Sequence, residues 1–155
     1  MSGNGQRLND HLQLLQSIYE KIPFSKVLGL TIHELDAAKA VIRFDMADHL
    51  IGNYMQQTLH GGVISSVLDV TGGLTASIGV IQKCTGASLE EVTQRIAMVG
   101  TIDLRVDYLR PGRGNYYTAQ GSVMRTGNKV AVTRMELCND QRLLIAVGTG
   151  TYIVG

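Results

Sequence analysis

The sequence predicts an α+β domain in which one long apolar helix is enclosed by an antiparallel sheet, and three observations carry that prediction. From Gly62 to about Gly79 the chain is apolar nearly all round, through Val63, Ile64, Val67, Leu68, Val70, Leu74, Ala76 and Ile78, so a helix here needs cover on most faces. After a short helical segment, four strand-like stretches follow, joined by short turns that imply antiparallel pairing. Two further strands precede the helix, giving the sheet enough width to curl around it. The 155 residues suffice for one domain with its own core, and no linker, repeat or low-complexity run divides them.

Taken in order, Leu8, Leu12, Leu15, Ile18, Tyr19 and Ile22 recur at helical spacing until Pro23, predicting an amphipathic helix over 7–22 within an N-terminal helical segment 1–22. Its polar face carries Gln13, Gln16 and Glu20 with only Arg7 and Lys21 basic, which suits packing on the domain's own sheet better than lying on a membrane. Val27–Leu35 and Ala38–Met46 read as paired strands; in the second, Ala40, Ile42, Phe44 and Met46 alternate with Val41, Arg43 and Asp45. The polar stretch 47–59 reads as a loop leading into His60-Gly61-Gly62. The long helix contains β-branched residues and Gly72-Gly73, poor helix formers, so tertiary packing has to hold it; its length exceeds that of an ordinary strand. Ser88-Leu89-Glu90-Glu91 has the form of a capping box and starts a helix to about Ile96. The remaining strands fall at Val99–Leu109, Tyr116–Arg125, Lys129–Leu137 and Leu143–Ile153.

Composition narrows the function classes. A hydrophobic share of 45% against 17% charged residues excludes a disordered chain, and no uninterrupted apolar run is long enough to cross a bilayer. The N-terminus lacks a secretory pattern, so a cytoplasmic protein is expected. Cys84 and Cys138 lie far apart without metal-ligand spacing, and His11, His33 and His49 have no partner histidine, so neither disulfide framework nor metal is expected. A net charge of +1 without aromatic–basic interleaving argues against nucleic acid. Arg105, Arg110, Arg113, Arg125 and Lys129 still offer local charge for a small polyanion.

Two features carry chemistry. Asp69 places a carboxylate on the apolar helix, where ionisation is costly unless the group is paired or reaches a polar cavity. Its helical neighbours are Ser65, Ser66, Gly72 and Gly73, which suggests a bare trench for a substrate with serine hydroxyls orienting the carboxylate. The competing role is structural, a cap or a core ion pair with arginine. His60-Gly61-Gly62 stands at the helix start, where unsatisfied N–H groups and the helix dipole favour an anion and glycines allow close approach. Such donors could stabilise the oxyanion of an acyl transfer, or the pair could form a plain turn. His60 itself fits a base, a donor or a loop brace.

The run from Leu59-His60-Gly61-Gly62-Val63 through Asp69, together with Gly100-Thr101-Ile102-Asp103-Leu104-Arg105-Val106-Asp107-Tyr108-Leu109-Arg110-Pro111, resembles the PaaI-type hotdog acyl-CoA thioesterases, and among them the YigI-like branch. The likeness covers nearly the whole chain, including Gly127-Asn128-Lys129-Val130. It implies a hotdog fold; Asp69 as nucleophile or general base; the Gly61 N–H as oxyanion donor; His60 as loop support; and Thr101 as orienter of the attacking water. A loop amide assists in many relatives; here Tyr54 stands at that place, with Asn53 before it and Gln56 and Gln57 after it. The resemblance further implies CoA phosphates and adenine near Arg110, Arg113, Arg125, Gly127, Asn128 and Lys129, with pantetheine and acyl chain passing Met55, Val63 and the Gly72-Gly73 trench into an apolar slot, and Gln57, Gly62 and Ser66 as further substrate-binding candidates. It implies a homodimer or dimer of dimers that shares each site between subunits, and no cofactor beyond the coenzyme A of the substrate. The alternatives are a hotdog hydratase or dehydratase, which would enter the helix through Pro-Gly-Val where this chain has Gly-Gly-Val, and a non-catalytic acyl-CoA-binding protein.

Overall fold

A computed structural model of the chain describes residues 2–155; Met1 of the expected N-terminal segment lies outside them. The elements run α1 (Ser2–Tyr19), α2 (Pro23–Val27), β1 (Thr31–Leu35), β2 (Lys39–Asp45), β3 (Ile51–Asn53), β4 (Thr58–Leu59), α3 (Gly61–Lys83), α4 (Leu89–Ala97), β5 (Gly100–Tyr108), β6 (Tyr116–Thr126), β7 (Val130–Asn139) and β8 (Leu144–Ile153). Six strands form one antiparallel sheet in the order β1-β2-β6-β7-β8-β5, and β3 pairs with β4 in a separate small hairpin. The sheet curves around α3, which is the expected hotdog architecture.

Several boundaries differ from the sequence reading, and α3 runs on to Lys83, past the expected end near Gly79. Helix α1 begins earlier and ends at Tyr19, and Pro23 opens α2 instead of only closing α1, since a proline at the first turn loses no hydrogen bond. The strand expected from Val27 therefore starts at Thr31, after Gly29 turns the chain at φ 68°. The expected loop before α3 holds the β3–β4 hairpin. The capping box is present as read: Ser88 Oγ accepts from the Glu91 N–H at 3.2 Å and Glu91 Oε2 accepts from the Ser88 N–H at 2.8 Å.

Helix α3 is 23 residues, about 34 Å long. By length and composition it could cross a bilayer, but 72% of its most apolar window is buried inside the domain. Leu68, Leu74 and Ile78 are fully buried, each contributing about 1.5–3 kcal/mol by leaving water. Thr71 and Thr75 are also buried, and their hydroxyls donate at 2.7 Å to the Val67 and Thr71 carbonyls one turn back, so neither hydroxyl is stranded. Strand β7 alternates buried and part-exposed residues with period two, as expected of a sheet with one face on the helix. Helix α1 packs along the C-terminal half of α3, with Leu15 buried and the Tyr19 hydroxyl 3.3 Å from Ser77 Oγ. Strand β5 is a sheet edge, and Ile102, Tyr108 and Leu109 around it are about half exposed.

Candidate active site

Asp69 projects from the middle of α3 toward the junction of β5 and β8. Its Oδ1 accepts a hydrogen bond from Thr101 Oγ1 at 2.9 Å and a second from Tyr152 Oη at 3.2 Å. The Tyr152 hydroxyl also lies 3.1 Å from the Asp69 carbonyl. Thr101 stands beside a register shift in the β5–β8 pairing, a bulge of the kind that re-aims a side chain. No arginine or lysine pairs with Asp69 among the described residues, so the core ion pair is not formed. The role foreseen for the serines also fails: Ser65 and Ser66 donate to the Gly62 carbonyl at 3.1 and 2.7 Å, one turn back, instead of reaching the carboxylate. Nor are Gly72 and Gly73 an open trench. Both are buried, and the ends of Tyr152 and Tyr19 fill the space where their side chains would be.

These two tyrosines were not singled out in the sequence, where nothing but strand or helix periodicity marks them. Burial, reinforced by the charge of Asp69, pushes the pKa of the Tyr152 hydroxyl well above the ordinary phenol value. Burial likewise pushes Tyr19 up to about 12, with the Ser77 hydrogen bond opposing and Asp69 assisting. Both therefore stay protonated donors at neutral pH.

At the start of α3, His60 is the N-cap, and its Nδ1 accepts from the Gly62 N–H at 2.8 Å. That contact puts the neutral ring's proton on Nε2. It also uses up the Gly62 donor, whereas the Gly61 N–H has no acceptor among the described residues. The Gly61 peptide is held from the other side by Tyr108, whose hydroxyl donates to the Gly61 carbonyl at 3.2 Å. The β3–β4 hairpin lies directly on this turn: a Cβ on Gly52 would stand 2.5 Å from the His60 Cα, so glycine is required for the approach. At the hairpin tip, Asn53 Oδ1 accepts from the N–H groups of Met55 and Gln56 at 3.1 Å, and Gln57 Nε2 donates to the Tyr54 carbonyl at 2.7 Å. Met55 projects into solvent, and none of Asn53, Met55 and Gln57 shares a hydrogen bond with Asp69.

The basic residues do not form one cluster. Arg110 donates to the Leu144 carbonyl and Arg113 to Gln56 beside the N-terminal end of α3, where Leu59 hydrogen-bonds to Gly112. Arg125, Gly127, Asn128 and Lys129 lie at the β6–β7 turn by the opposite end, where Lys83 Nζ reaches Asn128 Oδ1 at 3.0 Å. The antiparallel strands simply run the full length of the helix and separate the two groups. A cleft of about 450 Å³ at the second end is lined by Lys83, Arg95, Thr126, Gly127 and Asn128. Lys83 and Arg95 were missed in the sequence; their one signal is their position in the last turns of α3 and α4.

Residues 56–146 match the family model described as the thioesterase superfamily. The medium/long-chain acyl-CoA thioesterase YigI of Salmonella typhimurium is 48% identical over 134 residues, 86% of each chain. The acyl-coenzyme A thioesterase PaaI of Escherichia coli is 25% identical over 139 residues, 89% of this chain and 86% of PaaI. Among solved structures, a Shewanella oneidensis protein related to the thioesterase superfamily superposes with TM-score 0.92 at 48% identity, covering 96% and 97% of the two chains. The E. coli PaaI structure, at 21% identity and TM-score 0.72 over 96% and 95%, shares the fold. With the helix-enclosing sheet, the His60-Gly61 turn and the Asp69 carboxylate all in place, the chain belongs to the thioesterase superfamily.

Proposed function

We propose that the protein hydrolyses the thioester of medium- and long-chain acyl-CoA to free acid and CoA, in the cytoplasm and as a homodimer or dimer of dimers. The observation that carries this reading is the Asp69 carboxylate, fixed through Oδ1 by two hydroxyl donors, which leaves its second oxygen for chemistry. In the general-base route, that oxygen takes a proton from water as the water oxygen adds to the thioester carbonyl. The carbonyl oxygen becomes an oxyanion held by the Gly61 N–H. Collapse breaks the C–S bond, and the proton on Asp69 passes to the departing thiolate. In the nucleophilic route the same oxygen attacks the carbonyl carbon directly, the C–S bond breaks as CoA leaves as a thiolate that takes a proton from solvent, and water later hydrolyses the anhydride to the free acid and the Asp69 carboxylate. Single turnover in H₂¹⁸O separates them, because only the second route can leave ¹⁸O in Asp69. Neither route needs a metal or organic cofactor. The cleft beside Lys83 and Arg95, with Arg125 and Lys129 on the β6–β7 turn that supplies its Thr126, Gly127 and Asn128, is suited to the CoA phosphates.

Geometry supports a site shared between subunits. Asp69 and Gly61 are eight residues apart on one continuous helix, about 12 Å along its axis, too far to serve one carbonyl. An antiparallel β5–β5 pairing across a two-fold axis near the strand's middle would set Thr101 of one chain opposite Tyr108 of the other. Asp69 would then face the partner's Gly61 turn. The same pairing would cover a nine-residue open edge that otherwise invites aggregation.

Assays of CoA release from an acyl-CoA panel test the activity, with Asp69→Asn as the inactive control; hydration without CoA release would favour the dehydratase reading. Mixed dimers test the sharing. Gly61→Pro removes the donor cleanly, because position 61 is the first residue of α3 and His60 already has the extended backbone that precedes proline (φ −63°, ψ 137°). Reassembling Asp69→Ala chains with Gly61→Pro chains should restore about a quarter of the sites. Verified heterodimers that remain inactive refute the shared site.

A further inference from the structure

Tyr152 approaches the site from the core side. It is 1% exposed, and its ring folds back over Gly150, where a Cβ would stand 2.5 Å from Cε2. On the helix side the slot is cleared by Gly72, whose Cβ would collide with Tyr152 Oη and lie 2.8 Å from Cζ and 2.9 Å from Met135 Cε. Two glycines on different elements thus make room for one phenol, whose hydroxyl ends within hydrogen-bond distance of both the side chain and the main chain of Asp69.

We infer that Tyr152 is a positioning residue for thioester hydrolysis: wedged between Gly72 and Gly150, it holds the Asp69 carboxylate from beneath while Thr101 holds it from the sheet edge. The inference rests on the proposed role of Asp69. An aspartate on a helix has two freely turning side-chain bonds, and a single donor leaves it a swinging arc. Two donors converging on Oδ1 from β5 and β8 remove that arc and direct the other oxygen to the substrate side. Because Tyr152 is enclosed, the restraint cannot be lost by rotation of the phenol into solvent.

The titratable groups that face Asp69 are Tyr19 from α1 and Tyr152 from β8; β5 supplies Thr101, and β7 supplies Thr133, whose hydroxyl contacts Tyr152. With no cation paired to the carboxylate among the described residues, the two hydroxyls are its only protein donors there. Burial and the charge of Asp69 both keep the Tyr152 proton in place, so the donor persists over the working pH range.

A hydrogen bond to an ionised carboxylate favours the charged form, so its loss makes protonation easier. In Tyr152→Phe the acid limb of the kcat/KM–pH profile should move to higher pH by about half to one unit, and kcat should fall on the order of 10-fold, with KM changed by less than about 2-fold. A purely structural role for Tyr152 would lower the active fraction without moving the limb. Replacement of Tyr152 by 3-fluorotyrosine keeps the shape and makes the hydroxyl a stronger donor, so its limb should move the opposite way. It also serves as the test should Tyr152→Phe fold poorly. An unmoved limb in a folded variant overturns the inference. Asp69→Asn, run alongside, separates the two levels: retained turnover there refutes the role of Asp69 itself, whereas a dead Asp69→Asn with an unmoved Tyr152 limb refutes only the positioning.

Discussion

Replacing Gly72 with alanine sets two opposing effects against each other at one atom. Alanine in a helix interior is favoured over glycine by about 0.8–1.0 kcal/mol. The new methyl, however, would occupy the place of the Tyr152 hydroxyl and crowd Met135, in a region where all three residues are buried. Overpacking of a filled core costs about 1–3 kcal/mol, and the displaced phenol also loses its bonds to Asp69, so the net expectation is destabilisation by about 1–2 kcal/mol. For a chain of this size that corresponds to a melting temperature lower by about 2–8 °C. Gly73 is the internal control: its Cβ would come no closer than 3.2 Å to the Tyr19 hydroxyl and 3.7 Å to the Tyr152 ring, so Gly73→Ala should be much milder. Thermal melts of Gly72→Ala, Tyr152→Phe and the double variant complete the case. Removing the hydroxyl removes the closest clash, so the two changes together should cost clearly less than their sum. A Gly72→Ala protein as stable and active as the parent, or strict additivity in the cycle, refutes the wedge.

Other outcomes follow from the same geometry. Ser88→Ala removes one half of the capping box of α4 and should cost about 1 kcal/mol, read as a melting temperature lower by about 2–4 °C with kcat unchanged. Arg125→Ala combined with Lys129→Ala should raise KM for acyl-CoA several-fold while leaving kcat and the KM for an acyl-pantetheine nearly unchanged, because these charges would act only on the distant phosphates. Equal effects on both substrates would assign the two residues to the β6–β7 turn instead. Asp69→Asn should lower CoA release by at least about 100-fold with the fold intact, since an amide neither deprotonates water nor attacks well.

The apolar run 63–78 by itself required a helix covered on most sides, because an apolar surface that cannot face water has to be enclosed, and the alternating strands after it left a curved sheet as the cover. The capping box, the turns and the sense of pairing were legible for the same local reason: each depends on side chains a few residues apart. Asp69 and the His60-Gly61 turn stood out because a carboxylate in an apolar helix and two glycines at a helix start conflict with local propensity. What Asp69 touches was not legible. Ser65 and Ser66 adjoin it on the helix, yet their hydroxyls find a carbonyl one turn back, a partner available to any helical serine. Thr101 and Tyr152, 32 and 83 residues away, reach it only because β8 pairs with β5 across the face of α3. The distance between the two basic groups was equally hidden, since strand ends adjacent in a list of turns fall at opposite poles of a 23-residue helix. Local pattern determines which segments form and which residues are out of place, whereas long-range strand pairing decides which distant hydroxyl arrives at a carboxylate, because pairing register carries no signature within either strand alone.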